Sequence, residues 1–258
     1  MREMRHNDIL LVSKAIAIDP SLRLRRAIYA QDTSLVARIL KSHPYLIHNP
    51  DTTLPPTAHM PGGLSNSSLH VASSIGCLSI CKLLLTLGHE GPPDAPQISL
   101  NESYETPLHL AAREGHTEII HLLCERCPTS ILRRDSSGLN ALMVAAMGGH
   151  DTVVQLLLTY APGSIGGQEN KRIILDAVDK DGNTALHYAT MYGHLLVLRT
   201  LLAAGADWEK RNCWSWQPVS YSATVQAEVY YKGLVNEAER KKKLRGDPQD
   251  SMPGSVIG

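Results

Sequence analysis

The chain has 258 residues, with 25 Lys plus Arg against 25 Asp plus Glu, and so no formal net charge. That balance excludes the global attraction to nucleic acid or acidic lipid that a basic chain would have, and no uninterrupted apolar run is long enough to span a bilayer. Five cysteines, an odd number, stand in a sequence without secretory features, which points to reduced thiols in the cytosol or nucleus.

The first apolar stretch covers residues 9–18. Asp8 precedes it, Ser13 and Lys14 interrupt it, and no small-residue cleavage site follows. It reads as helix, within an N-terminal extension over 1–20, rather than as a signal peptide. Leu24, Ala27, Ile28, Leu35, Val36, Ile39 and Leu40 then keep the apolar spacing of two short helices. Next comes Ser67-Ser68-Leu69-His70-Val71-Ala72 with Gly76. Related blocks follow: Thr106-Pro107-Leu108-His109-Leu110-Ala111-Ala112 with Gly115, Asn140-Ala141-Leu142-Met143-Val144-Ala145-Ala146 with Gly149, and Thr184-Ala185-Leu186-His187-Tyr188-Ala189 with Gly193. Gln217-Pro218-Val219-Ser220-Tyr221-Ser222 is a faded copy, and a long helix is expected after it over about 223–243. The polar stretch 244–258, with its Gly and Pro, reads as a disordered tail.

Leu24, Leu69, Leu108, Leu142, Leu186 and Val219 mark the repeat, in steps of 45, 39, 34, 44 and 33 residues. A period near 33 residues with insertions resembles the ankyrin repeat. The fold implied is an all-α ankyrin-repeat solenoid, five repeats plus a C-terminal cap over 21–243. The Thr or Ser of the motif suits an N-cap, and the Pro after it gives up only an orphan N–H. The Gly suits a left-handed helix end. In the first repeat Arg25 holds the motif His position and Gln31 the Gly position, a degeneracy that suits an end unit facing water. Three insertions, 49–66, 91–104 and 162–178, fall between repeats. They are expected to lengthen the hairpin fingers, and loops 50–66 and 162–176 to contribute little to folding, since loop closure costs only about 0.6 kcal/mol per doubling of length.

Three flanking segments are more particular: Pro20-Ser21-Leu22-Arg23-Leu24-Arg25-Arg26-Ala27-Ile28, Leu84-Leu85-Thr86-Leu87-Gly88-His89-Glu90, and Trp214-Ser215-Trp216-Gln217-Pro218-Val219 with Val229-Tyr230-Tyr231 downstream. They resemble the fungal ankyrin-repeat subunit of target of rapamycin complex 2 over roughly residues 20–240. The resemblance implies a non-catalytic, cytoplasmic accessory subunit without a cofactor. Its partners would be the kinase and scaffold subunits of that complex, with contact to the plasma membrane only indirect, and no nucleic acid or small-molecule substrate. The sequence departs from that family at 50–66 and 162–170. A rival reading is a nuclear ankyrin cofactor docking a transcription factor, with Arg240-Lys241-Lys242-Lys243 and Arg245 as an import signal. The favoured reading of that basic run is a solvated helix end opposing the macrodipole. An enzyme is disfavoured, because no leftover segment is large enough for a catalytic domain.

Cys124 and Cys127 have redox or zinc spacing, with Cys77 and Cys81 as would-be partners. Repeat alignment places Cys124 eight positions further along its helix than Cys77. That is about 12 Å of rise across helices about 10 Å apart, too far for four sulfurs at about 2.3 Å from one ion. Buried structural thiols are expected instead. His70, His109, His187, His116, His150 and His194 occupy repeat-defined positions, so no catalytic or metal role is assigned to them. Asp179-Lys180-Asp181-Gly182-Asn183 has the look of a calcium loop but lacks its closing Glu, Thr190 standing there, and reads as a hairpin turn. Trp208, Trp214 and Trp216 are expected to pack the cap onto the last finger, the alternative being Trp214 as an exposed anchor, and partners are expected to bind through the concave groove and the hairpin fingers. The candidate protein-binding row is the pair before each motif Gly, which should face the concave groove. Its large members are Tyr29, Ile75, Arg113, Glu114, Met147, Met191 and Tyr192, an interface-like composition. The alternative is that some of them pack against the neighbouring repeat.

Overall fold

The computed structural model describes residues 19–48, 66–90, 98–161 and 168–245. The helix expected over 9–18, most of the first two insertions and the tail beyond 245 lie outside the described residues. The described residues form twelve α-helices and no strand. They are α1 Pro20–Tyr29, α2 Thr33–Ser42, α3 Ser68–Ser74, α4 Leu78–Thr86, α5 Pro107–Glu114, α6 Thr117–Arg126, α7 Ala141–Gly148, α8 Asp151–Tyr160, α9 Gln168–Leu175, α10 Ala185–Met191, α11 Leu195–Ala203 and α12 Val225–Arg245. Two compact units divide after Cys127.

In the unit up to Cys127, α1 pairs with α2, α3 with α4 and α5 with α6, and the pairs stack α1 on α3 on α5 and α2 on α4 on α6. In the unit from Pro128, α7 pairs with α8 and α10 with α11. There α10 stacks on α7, α11 on α8, and α12 covers α11. Short first helices exist because both ends are satisfied locally. Thr106 accepts from the His109 backbone N–H while the His109 ring accepts from the Thr106 N–H at 3.2 Å. Ser67 with His70 and Thr184 with His187 make the same reciprocal box. At the other end Gly76, Gly115, Gly149 and Gly193 all take positive φ, between 70° and 80°. Gln31, in the Gly position of the first repeat, also takes positive φ, 55°.

Each core is aliphatic and continuous along its stack: Leu24, Ile28, Leu69, Ile80, Leu84, Leu108, Ile119 and Ile120 in the first unit, and Leu142, Met143, Val153, Leu157, Leu186, Val197 and Leu201 in the second. The faded copy at the C-terminus is a single 3₁₀ turn, Pro218–Tyr221, followed by the 21-residue α12.

One expectation fails. The insertion 162–178 is not merely a longer finger, because residues 168–175 form α9. Ile174 is 0% exposed and Leu175 is buried beside it. Ile173 beside them stays exposed, so the end of the segment packs through Ile174 and Leu175 rather than looping free.

Candidate protein-interaction surface

The fingers that lead into each repeat share one device. Asn101 Oδ1 accepts from the backbone N–H groups of Ser103 and Glu105, both at 2.9 Å. Asp135 does the same for Ser137 and Leu139, Asp179 for Asp181 and Asn183, and Asn212 for Trp214 and Trp216. Three residues after each Asx the chain has positive φ, at Tyr104, Gly138, Gly182 and Ser215. Asp179 therefore serves as a turn residue, as its sequence suggests.

Side chains stitch successive repeats. The His70 ring accepts from the Ser67 N–H through Nδ1, so Nε2 carries the proton and donates to the Glu105 carbonyl at 2.9 Å. His187 donates likewise to the Trp216 carbonyl at 3.2 Å. The histidines after the Gly act in the same way: His116 Nε2 lies 2.9 Å from the Ser74 carbonyl and His194 Nε2 2.9 Å from that of Met147. Asn101 donates to Asn66 in the first unit, and Asn212 to Asn183 in the second. Burial holds the His70 pKa down at about 4, and burial also lowers that of His187. Both rings are neutral hydrogen-bonding struts.

The candidate row divides between the units. In the first, Tyr29 and Ile75 are half-buried and Arg113 and Glu114 are exposed. Arg113 is pinned. Its guanidinium donates to the buried Glu105 carboxylate, which also accepts from Asn101 Nδ2 at 2.9 Å. Burial raises the Glu105 pKa, but these donors outweigh it and hold the carboxyl below its ordinary value. In the second unit Met147 and Met191 are half-buried, and Tyr192 is 50% exposed with its ring stacked on His194 at 6.3 Å. The Ser74 and Met147 carbonyls in this row accept from the histidines of the next repeat.

The finger tips, which the sequence offers as a binding surface beside the groove, carry exposed aromatic rings. Tyr104 is 60% exposed on the third finger, and Trp214 and Trp216 are 54% and 53% exposed on the last. The expected packing role of the tryptophans is only partly met. Trp216 meets Tyr221 edge-on at 5.3 Å and the Trp208 carbonyl accepts from Tyr231, but both finger indoles keep half their surface in water. A signal existed: the Asx residues recur in steps of 34, 44 and 33, in register with the motif leucines.

Burial pushes the thiols of Cys81 and Cys124 up to about 12 and that of Cys127 up to about 11, so they stay protonated. Among the described residues no three His, Cys, Asp or Glu side chains are grouped to hold a metal ion, and no helix is long and apolar enough to cross a membrane.

The paired helices, capping boxes and Asx fingers are those of ankyrin repeats. The chain matches that family in three overlapping copies, residues 24–135, 69–168 and 127–212, and it belongs to the ankyrin-repeat family. It is similar to the target of rapamycin complex 2 subunit AVO2 of Saccharomyces cerevisiae, 29% identical over 226 residues, which covers 86% of this chain and 47% of that protein. The resemblance read from the flanking segments thus extends over most of the chain, and the chain spans about half the length of that relative. It is also similar to the protein ACCELERATED CELL DEATH 6 of Arabidopsis thaliana, 36% identical over 39% of this chain and 16% of that protein. A probable E3 ubiquitin-protein ligase of rice, XBOS32, is 31% identical over 52% of this chain and 27% of its own length.

Proposed function

We propose that this chain is a non-catalytic protein-interaction subunit of a target of rapamycin complex 2, working in the cytoplasm and reaching the plasma membrane only through that complex. The observation that carries the reading is coverage. Ankyrin proteins of other functions match 39% to 57% of the chain, as a shared repeat would, whereas the yeast complex subunit matches 86%. The kinase and scaffold subunits would dock on the row Tyr29, Ile75, Arg113, Glu114, Met147, Met191 and Tyr192. What supports this is the residue types: a pinned Arg113 in the first unit and part-exposed Met and Tyr side chains in the second, the kinds in which interface energy concentrates.

The test is affinity purification of the tagged chain with mass spectrometry. The unmodified chain is expected to recover kinase and scaffold subunits. Changing Met147, Met191 and Tyr192 together to Ala should release them while circular dichroism stays unchanged, and changing Lys241, Lys242 and Lys243 to Ala should not. Release by the second variant alone would favour the nuclear or lipid reading of the basic run. Failure of the unmodified chain to recover the kinase would sink the assignment.

A further inference from the structure

The finger that leads into the fourth repeat carries Arg133-Arg134-Asp135-Ser136. Nowhere else in the sequence do two adjacent Lys or Arg residues stand two and three positions before a Ser or Thr. That spacing of cations is the charge pattern selected by protein kinases whose substrate groove is acidic. We propose that Ser136 is a phosphorylation site for such an arginine-directed kinase.

The geometry of the finger singles out this hydroxyl. Ser136 is exposed, and so are Arg133 and Arg134 in a stretch without secondary structure. The turn is held by the residues around Ser136. The Asp135 N–H donates to the Leu139 carbonyl at 2.8 Å, and the Gly138 N–H donates to the Asp135 carbonyl at 3.0 Å. Asp135 Oδ1 takes the N–H groups of Ser137 and Leu139. Among the described residues, neither the backbone nor the hydroxyl of Ser136 has a hydrogen-bond partner. Ser137 differs. Its N–H is held by Asp135, and its carbonyl accepts from the Lys180 N–H at 3.1 Å. One finger thus offers one hydroxyl on an untied residue and one on a tied residue.

The cations are available as well. The Arg133 side chain makes no hydrogen bond to a described residue, and Arg134 donates to the Val178 carbonyl in an exposed bond of 2.8 Å. Water replaces such a bond at small net cost when a kinase takes the side chain.

The Ser136 Oγ attacks the γ-phosphorus of a nucleoside triphosphate. The new Oγ–P bond forms as the bond to the bridging oxygen breaks, and the diphosphate leaves with that electron pair. The hydroxyl proton passes to the kinase's carboxylate base. The product carries about two negative charges. Arg133, Arg134 and Lys180 against Asp135 and Asp181 give the tip one net positive charge, 3 − 2. Phosphorylation turns this into about one net negative charge, which reverses the sign of partner the finger attracts.

The experiment treats the folded full chain with the catalytic subunit of cAMP-dependent protein kinase and magnesium ATP, and locates phosphate by tandem mass spectrometry. Ser136 should be labelled at a rate within about tenfold of that for a free peptide covering 130–140, since only one exposed bond must open. Ser136→Ala should abolish the label on this finger, and Arg133→Ala with Arg134→Ala should slow it at least about tenfold. The tagged chain isolated from its own cells with phosphatases inhibited should yield the tryptic peptide beginning at Asp135 with one phosphate on Ser136. A peptide that is itself refused overturns the proposal, and so does a folded chain left unlabelled while the peptide reacts. Label on Ser137 in place of Ser136, or a cellular peptide found only unmodified, overturns it equally.

Discussion

Two connections in the second unit do the same job with different lengths of chain. Into the fourth repeat the chain goes through one 3₁₀ turn, Pro128–Leu132, whose Ile131 is fully buried four residues before Asp135. Into the fifth it goes through an insertion that contains α9, and Ile174 and Leu175 are buried five and four residues before Asp179. Length differs, but the aliphatic anchor ahead of the finger's Asx does not. The cost of an insertion thus lies in what it buries, and loop entropy is the smaller term. Truncating a buried Ile typically costs about 2–5 kcal/mol, against about 0.6 per doubling of loop length.

The largest expected effect tests this equivalence. Ile174→Ala should destabilise the chain by about 3 kcal/mol, as should Ile131→Ala, since both side chains are fully buried. Chemical denaturation of both variants measures it. A loss at Ile131 with none at Ile174 would mean that the insertion is a dispensable loop after all.

The next effect separates two glycines that look alike. Gly149 and Gly205 both have positive φ, 75° and 94°. A Cβ on Gly149 would meet His194 Nδ1 at 2.6 Å, whereas one on Gly205 would meet nothing within 4 Å. Gly205→Ala should cost about 1 kcal/mol for the left-handed backbone alone. Gly149→Ala should cost about 2–3 kcal/mol, because the ring must also move from the Met147 carbonyl. Equal melting temperatures for the two variants would contradict the strut role of His194.

His70 and His187 bring pH into the comparison of repeats. Their folded pKa values lie below 6.5, so the unfolded chain takes up protons that the folded chain refuses. Their contribution is complete above pH 6.5 and is lost as pH falls through the folded values, about 4 for His70. At pH 5 His70 alone accounts for about 2 kcal/mol of loss relative to pH 7.5. The fourth repeat has Met143 in that position, buried and without a charge to titrate. Denaturation midpoints at the two pH values should converge in His70→Met. A wild-type midpoint that does not move would refute the neutral-strut assignment.

The capping residues and the left-handed glycines were legible in the sequence because each rests on interactions within a few residues. Thr106 and His109 are three apart, and Gly115 closes the same helix. The burial of Ile174 was not legible, since nothing local distinguishes a packed insertion from a mobile one. For the candidate row, repeat alignment supplied the positions as an expectation, but the surroundings of Arg113 could not be read from it. Glu105, which fixes Arg113, precedes the motif by one residue and carries no repeat signal, and Tyr104 stands where the next two fingers have Gly138 and Gly182.

The smallest expected effect concerns that finger position. Tyr104 has φ 59° and Gly138 φ 86° in equivalent turns. Gly138→Ala should cost about 1 kcal/mol or slightly more, because the new Cβ meets the backbone of Lys180 and Asp179 at 3.0–3.1 Å and backbone does not yield. Tyr104→Gly relieves a left-handed strain of about 1 kcal/mol and adds a glycine entropy cost of roughly 0.5–1 kcal/mol. The two nearly cancel, and the ring is 60% exposed. Its stability should therefore stay within about 0.5 kcal/mol of the parent by thermal denaturation. A large loss would show that the Tyr104 ring packs on the finger. An unchanged melting curve makes Tyr104→Gly a clean probe of the finger, because any subunit it fails to recover is lost through contact and not through unfolding.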